Sequence, residues 1–327
     1  MASRQPLVSL GIPVYNGEQF LHQALDALVA QTYEHLELII SDNASTDRTR
    51  EICLAYAARD QRIKYYRNGT NIGVVANFRR VVELSSGEYF MWAAVDDLKP
   101  LTAVERCVKA LVNNPRAVLT HGIVLVQTAG GDNLIAYPND ICLADTSAAV
   151  RVCAFHKGLQ HHAMIFGLYR REVVQQGVLG NCLGFDYLLC LQMCLLGPLE
   201  YVRTPIVVYR ERRTVASSST MYTEVPITLG TLLQVGKAVR RKCWTVLVMG
   251  CYYLATVGHV RWSERCRAIA AHVVTFSHLY RSRLAKEAVF QLFEPVMWLG
   301  ILLWRLARRW SLTLRLARKV QARLTRI

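Results

Sequence analysis

The stretch Gly87–Pro100, GEYFMWAAVDDLKP, decides how this chain is to be read. A short apolar run, Tyr89 to Val95, ends in two adjacent carboxylates, Asp96 and Asp97. A continuous apolar run of that length is the pattern of a strand buried on both faces. The two like charges at its tip repel each other, and a partner that supplies positive charge or hydrogen-bond donors removes the penalty.

The same logic extends outward. LVSLGIPVYN (7–16) is an apolar, β-branched run stopped by Pro13 and Asn16. GEQFLHQALDALVAQTY (17–33) places Phe20, Leu21, Ala24, Leu25 and Leu28 at helical spacing. LELIISDNASTD (36–47) is a second buried strand, with Ser45 or Thr46 expected to cap the helix over 46–60. RIKYYRN (62–68) is a shorter strand, GVVANFRRVVELSSG (73–87) a helix closed by Gly87, and LTAVERCVKALVNN (101–114) another helix. Residues 116–138 form a strand, a turn at Gly130–Gly131 and a strand. The order β-α-β-α-β-α-β-α specifies an α/β fold with a mostly parallel sheet and helices on both faces. In such sheets ligands lie beyond the carboxyl ends of the strands, where Asn16, Asp42 and the Asp96–Asp97 pair should converge on one rim.

After Thr146 the pattern loosens. SAAVRVCAFHKG (147–158) suggests a helix, and HHAMIFGLYRREVV (161–174) a strand leading into a short helix. GFDYLLCLQMCLLG (184–197) is an apolar helix with one carboxylate, Asp186, near its start, and LEYVRTPIVVYRERR (199–213) gives two short strands. Beyond Tyr222 the chain reads as helical. The expected division is therefore a catalytic domain over 1–222 and a helical basic region over 223–327.

Charge supports that division. The chain has 327 residues, 52% of them hydrophobic, and a formal charge of +15. From Gly230 to Ile327 there are 18 Lys/Arg and 3 Asp/Glu, so the body is neutral and the tail basic. A mixed, neutral body does not suit nucleic acid, whereas a basic tail suits an anionic surface. Five of the six tryptophans, Trp244, Trp262, Trp298, Trp304 and Trp310, also lie in the tail, the composition of a membrane interface. Residues 296–327 carry Leu299, Leu303, Leu306, Trp310 and Leu314 on one helical face and Arg305, Arg308, Arg309 and Arg315 on another, a basic amphipathic helix. Each basic residue near an anionic leaflet contributes about 1 kcal/mol. Cys243–Val260 holds 18 residues without formal charge. That is the lower limit for a span, which needs about 20, so a buried or surface-lying helix is expected there and a single span is the alternative. The ten cysteines show no CxxC pairing and fit free thiols in a reducing cytosol. The first residues enter a strand almost at once, leaving no room for a signal peptide.

Taken together, VSLGIPVYN, QTYEHLELIISDNASTDRT, NIGVVANF, GEYFMWAAVDD, GFDYLL and VVYRERR resemble the inverting nucleotide-sugar glycosyltransferases of family 2, with the Rossmann-like GT-A fold. The resemblance covers roughly 7–213 and implies hexosyl or deoxyhexosyl transfer. It implies that the loop of Pro13, Tyr15 and Asn16 lies against the nucleotide, that Asp42 accepts a hydrogen bond from the base, and that Asn71 flanks it. An Asp at that position suits uracil or thymine, so UDP or dTDP is the expected nucleotide. The resemblance further implies that Asp97, with Asp96 shared between ribose and metal, holds Mn2+ or Mg2+. Hard cations take carboxylate and phosphate oxygens, and the diphosphate leaving group carries the charge to be neutralised. Many relatives have a third Asp where this chain has Ala94. Asp186 is implied as the general base that takes the proton from the acceptor hydroxyl. Arg210 and Arg213 of YRERR supply cations for the diphosphate or for an anionic acceptor. The Trp-containing motif of processive synthases is missing from this segment, which implies one or a few sugars per encounter. His161 and His162 fall in the expected acceptor region and read as surface or packed residues.

The expected protein is thus a transferase at the cytoplasmic face of the membrane, acting on a lipid-linked or glycan acceptor in bacterial surface glycan assembly. Two alternatives stay open. A nucleotidyltransferase would want a basic loop after the first strand, and PVYNGEQF has no Lys or Arg. A non-catalytic membrane- or nucleic-acid-binding protein would tolerate neutralisation of Asp97 and Asp186.

Overall fold

Strand β1 (Val8–Val14) is flanked in parallel by β2 (Leu36–Asp42) on one side and β4 (Tyr89–Trp92) on the other. In this computed structural model all seven residues of β2 and all four of β4 are buried. Both faces are therefore covered, which is why these runs are mostly apolar rather than alternating, the buried Glu37, Ser41 and Asp42 of β2 each being hydrogen-bonded. The description covers residues 5–128, 133–138, 141, 143–144, 147–159, 162–177, 179, 185–210, 251, 254–255 and 260–279.

Strand β3 (Ile63–Arg67) lies outside β2. Beyond β4 the sheet turns antiparallel, through β7 (Leu168–Arg170), β5 (Leu119–Gln127) and β6 (Leu134–Tyr137). The order is β3-β2-β1-β4-β7-β5-β6, with β8 (Leu199–Arg210) pairing in parallel with β5. Parallel pairing thus dominates the first half, as expected, and the later strands mix the sheet. Gly167 permits the β5–β7 junction, since a Cβ there would stand 1.9 Å from the Thr120 carbonyl oxygen.

Helix α1 (Glu18–Val29) buries Leu21, Ala24, Leu25 and Leu28, the stripe expected from the spacing. Helix α2 (Thr49–Ala57) buries Ile52 and Cys53, and α4 (Ala103–Asn113) buries Val104, Cys107, Val108 and Leu111. Helix α3 (Val74–Glu83) starts after Gly73, whose φ of 86° lies in the region that favours glycine. The remaining described helices are α5 (Ala148–Gly158), α6 (Arg171–Val174), α7 (Phe185–Leu196) and α8 (262–279), with a 3-10 turn at His162–Phe166. Residues 1–279 form one compact unit and 280–327 a second. The division expected after 222 falls within the first unit and the amphipathic segment 296–327 within the second, and both lie outside the described residues.

Several local expectations are corrected. The two short strands expected over 199–213 are one 12-residue strand, β8, whose register shifts opposite Gly122–Val124. Pro205, which has no N–H for a ladder, sits at that irregularity, so the chain bulges and continues rather than stopping. Ser45 and Thr46 do not cap α2. The helix begins later, at Thr49, whose N–H donates to Asp47 Oδ1 at 3.0 Å. Pro13 lies inside β1, past the point where β4 leaves it at Gly11–Trp92, so its missing N–H breaks no bond on that side.

Candidate active site

The site is built where β1, β2 and β4 end. β4 stops at Trp92, and the chain turns through Val95–Asp96 to an isolated bridge at Leu98. That bridge is with Val208 of β8, by reciprocal backbone bonds of 3.0 and 2.8 Å. Two residues further on, the Arg210 N–H donates to Asp97 Oδ1 at 3.1 Å. Strand β8 therefore returns to hold the acidic turn.

Asp97 is buried and Asp96 half-buried. Burial, then the charge of Asp96, push the Asp97 carboxyl up to about 7, against the opposing pull of the Arg210 N–H and of Lys99. Asp97 is thus short of positive charge. Hard carboxylate oxygens short of charge are the donor set that a divalent cation such as Mn2+ or Mg2+ takes, with the remaining ligands from phosphate and water. Among the described residues no group of three or more His, Cys, Asp or Glu gathers for a metal, so the protein's share would be these two carboxylates.

The Arg210 side chain reinforces this picture. Its Nη1 donates to Gln23 Oε1 at 2.6 Å, and the guanidinium lies 5.0 Å from the centroid of the Phe20 ring. Its Nε and Nη2 are enclosed and have no hydrogen-bond partner. Burial lowers its pKa, and Asp97 and Asp96 oppose that effect. A cation with two unused donors beside a buried carboxyl and its acidic neighbour is arranged for an anion and its counter-cation. Lys99 stands behind the turn, buried, its Nζ 3.1 Å from the Phe166 carbonyl oxygen. Burial pushes it down to about 8.

At the end of β2, Asp42 is fully buried. Its Oδ1 accepts the Ser45 N–H at 2.8 Å, and its Oδ2 accepts the Tyr65 hydroxyl at 2.7 Å and Arg67 Nη1 at 2.6 Å. Burial alone would raise its pKa, but the bonds from Ser45, Tyr65 and Arg67 outweigh it and leave it lowered. Asn71 is exposed, and its Oδ1 accepts from Asn43 Nδ2 at 2.7 Å and from the Gly73 N–H at 2.9 Å. Tyr15 is exposed and Pro13 half-buried. Asn16, with a left-handed φ of 50°, receives the Thr46 N–H at 2.9 Å and gives its own N–H to Ser45 Oγ at 2.9 Å. The Glu18 N–H donates to Asp47 Oδ2 and the Arg48 N–H to Glu18 Oε2, at 3.0 and 2.9 Å. The loops after β1 and β2 are thereby clasped together.

Asp186 lies half-buried in the first turn of α7, its Oδ1 accepting the Tyr187 N–H at 2.8 Å. The neighbouring Phe185 ring packs edge-on against Phe78 at 5.3 Å, and Phe78 stacks on Trp92 at 6.2 Å. This aromatic chain links the base candidate to the strand that delivers Asp96 and Asp97. The structure therefore joins Asp97 to Arg210 directly and sets Asp42, Asn71 and Asn16 around the end of β2. Asp186 is tied to the end of β4 through Phe185, Phe78 and Trp92. Arg213 and His161 lie outside the described residues, and of the His162 side chain nothing is described.

The model of the family described as glycosyl transferase family 2 matches residues 9–177, just over half of the chain. The chain belongs to glycosyltransferase family 2. An uncharacterised glycosyltransferase of Rickettsia typhi is 33% identical over 124 residues, 37% of this chain and 38% of that protein. One of Haemophilus influenzae is 30% identical over 168 residues, 51% of this chain and 64% of that protein. The chain thus spans less than two thirds of the length of these family 2 relatives. Among solved structures, Staphylococcus aureus TarS 1-349 in complex with UDP-GlcNAc aligns over 84% of this chain and 73% of its own, with a TM-score of 0.57. At 12% identity that likeness concerns the GT-A fold.

Several side chains of this family 2 site escaped the sequence reading. Lys99 stood in the opening stretch, two residues past Asp97. Arg67 was visible as a cation at a strand end on the rim. Gln23 and Tyr65 gave no signal, because their roles depend on contacts with Arg210 and Asp42 that are distant in sequence.

Proposed function

We propose that the protein is an inverting glycosyltransferase, transferring a sugar from a nucleoside-diphosphate donor to an acceptor hydroxyl. The observation that supports this reading is the Asp97–Arg210 arrangement: a buried carboxyl, pushed up by its burial and by the neighbouring Asp96, beside a guanidinium with two unused donors. Together they fit a metal-bound diphosphate. A divalent cation, Mn2+ or Mg2+, held by Asp97 and Asp96 would neutralise the charge on the departing diphosphate. Arg210 Nε and Nη2 donate to the diphosphate oxygens, while Gln23 and Phe20 fix the guanidinium plane. Tyr15, Asn16 and Asn71 border the nucleotide. The ring N–H of the base reaches Asp42 when the exposed Arg67 side chain moves off it, which favours UDP or dTDP; the TarS complex with UDP-GlcNAc is in keeping with such a donor. Asp186 accepts the proton of the acceptor hydroxyl as that oxygen attacks the anomeric carbon from the face opposite the leaving group, which inverts the configuration.

The acceptor assigned here is a lipid-linked or surface glycan, met at the cytoplasmic face of the membrane. The support is the basic, Trp-rich composition of residues 223–327, taken as a membrane-associating region that follows a catalytic domain over 1–222. Among the described residues no helix is long and apolar enough to cross a membrane, and 243–260 lies almost wholly outside them. The deciding experiment offers a panel of UDP-, dTDP- and GDP-sugars with and without Mn2+. Saturable turnover of one donor only with metal is expected. Turnover indifferent to metal, or none with any donor, would overturn the reading.

A further inference from the structure

Helices α5, α7 and α8 meet along a buried line of polar groups outside the nucleotide rim. The Tyr187 hydroxyl, in the first turn of α7, is hydrogen-bonded to His156 Nδ1 of α5. His156 Nε2 lies 2.9 Å from His272 Nδ1 of α8. Tyr187 and His156 are buried and His272 is fully so. The rings of Phe155 and Phe276 close around the line, 5.0 Å from Tyr187 and 5.8 Å from His156. Burial, then the neighbouring His272, push His156 down to about 3, so the imidazole is neutral and its two nitrogens act as one donor and one acceptor. A hydrogen-bonded line of that kind has few ways to be satisfied, and leaving one member unpaired in an apolar site is costly.

The surroundings make the line a clamp. At the other end of α7, buried Arg151 of α5 donates through Nε to the Cys194 carbonyl oxygen at 2.8 Å. α5 therefore grips both ends of α7. α8 in turn grips α5, since Cys153 Sγ lies 3.2 Å from Thr275 Oγ1 in addition to the histidine contact. The residue held at the near end is Tyr187, whose backbone N–H binds Asp186 Oδ1.

We propose that His272 is a positioning residue: through His156 it fixes Tyr187, and with it the first turn of the helix that presents Asp186. Its consequence for transfer rests on the reading of Asp186 as the general base. α8 then belongs to the working part of the protein, although its sequence lies in the basic region.

The test uses the full chain with His272→Ala, His272→Asn and Tyr187→Phe. Asn places its amide group near the position of Nδ1 and retains the contact to His156. Amide hydrogen exchange over residues 185–190, the affinity for UDP with Mn2+, and turnover of UDP-N-acetylglucosamine, UDP-glucose and a dTDP-sugar are measured. In His272→Ala, exchange over 185–190 is expected to quicken by about two- to tenfold, the effect of one lost hydrogen bond. Turnover should fall by a similar factor with UDP affinity unchanged, and His272→Asn should restore both. Should His272→Ala fail to fold, Tyr187→Phe, which deletes only the hydroxyl, carries the same expectation. Unchanged exchange over 185–190 in the folded variants overturns the proposal, as does failure of Asn to restore it. Faster exchange with undiminished turnover upholds the clamp and counts instead against Asp186 as base, which Asp186→Ala tests separately.

Discussion

Replacing Arg210 by Met keeps most of the apolar stem and removes the guanidinium. In the ligand-free protein two contributions disappear. The bond to Gln23 involves a charged group and stabilises by about 1.5–3 kcal/mol, and the stacking over Phe20 by about 0.5–1 kcal/mol. Against this, two enclosed donors without partners, each costing about 1–3 kcal/mol, are also removed. At mid-range about 3 kcal/mol is lost against about 4 kcal/mol gained, so the net change in stability should be about 1 kcal/mol, or a few degrees in Tm. The backbone N–H that holds Asp97 is untouched. Donor binding loses two charge-assisted hydrogen bonds, together about 3–6 kcal/mol, which is roughly 10²–10⁴-fold in Kd. Calorimetric titration with UDP and with dTDP in Mn2+, beside thermal melts, measures both quantities. Unaltered affinity in a folded Arg210→Met protein would refute the assignment of those donors to the diphosphate. A fall in Tm of more than about 10 °C would show Arg210 to be a fold element instead.

Asp97→Asn should cut donor turnover by at least about a hundredfold and remove its response to Mn2+, checked by titrating metal against sugar release; a retained response would count against the metal assignment. The same variant should melt higher than wild type at neutral pH without metal. A carboxyl held up near 7 favours the fold below its unfolded value of 3.8 and loses that contribution as pH rises through 7. Asp186→Asn should lower kcat by about 10²–10⁴-fold and leave the UDP Kd unchanged, and an unchanged kcat would remove it as the base. Buried Glu37 works in the opposite direction from Asp97. Burial alone would raise its pKa, but Lys64, Ser9 and Ser86 outweigh that and hold it at about 2, below the usual 4.5. Its contribution, on the order of 3 kcal/mol, is complete above pH 4.5 and fades as pH falls toward 2. Urea melts from pH 7 to pH 3 should therefore show a shallower acid limb in Glu37→Gln, and identical limbs would contradict the assignment.

Much of the parallel half was legible residue by residue. β2 and β4 are buried on both faces, so every residue is apolar or paired, and the run length alone identifies a strand. The stripe Leu21, Ala24, Leu25 and Leu28 fixes α1 for the same reason. Less was legible where one element depends on another. Asp47 reaches α2 ahead of Ser45 because Ser45 is already taken by the Asn16 N–H across the clasp. β8 looked like two strands because Pro205 interrupts its pattern, and only β5 beside it shows that the chain bulges and goes on.

The amino-acid sequence by itself determined the alternating order of strands and helices, the placing of carboxylates at strand ends, and the division of charge between body and tail. These are properties of residues within one or two turns of each other, and periodicity reports them directly. Only the tertiary structure decided that Arg210 is bound to Asp97 across 113 positions, that Arg67 covers Asp42, and that His272 reaches His156 across 116. Those pairings depend on which faces of distant elements share a buried boundary. Burial then sets their charge states and partners, and no local pattern encodes it.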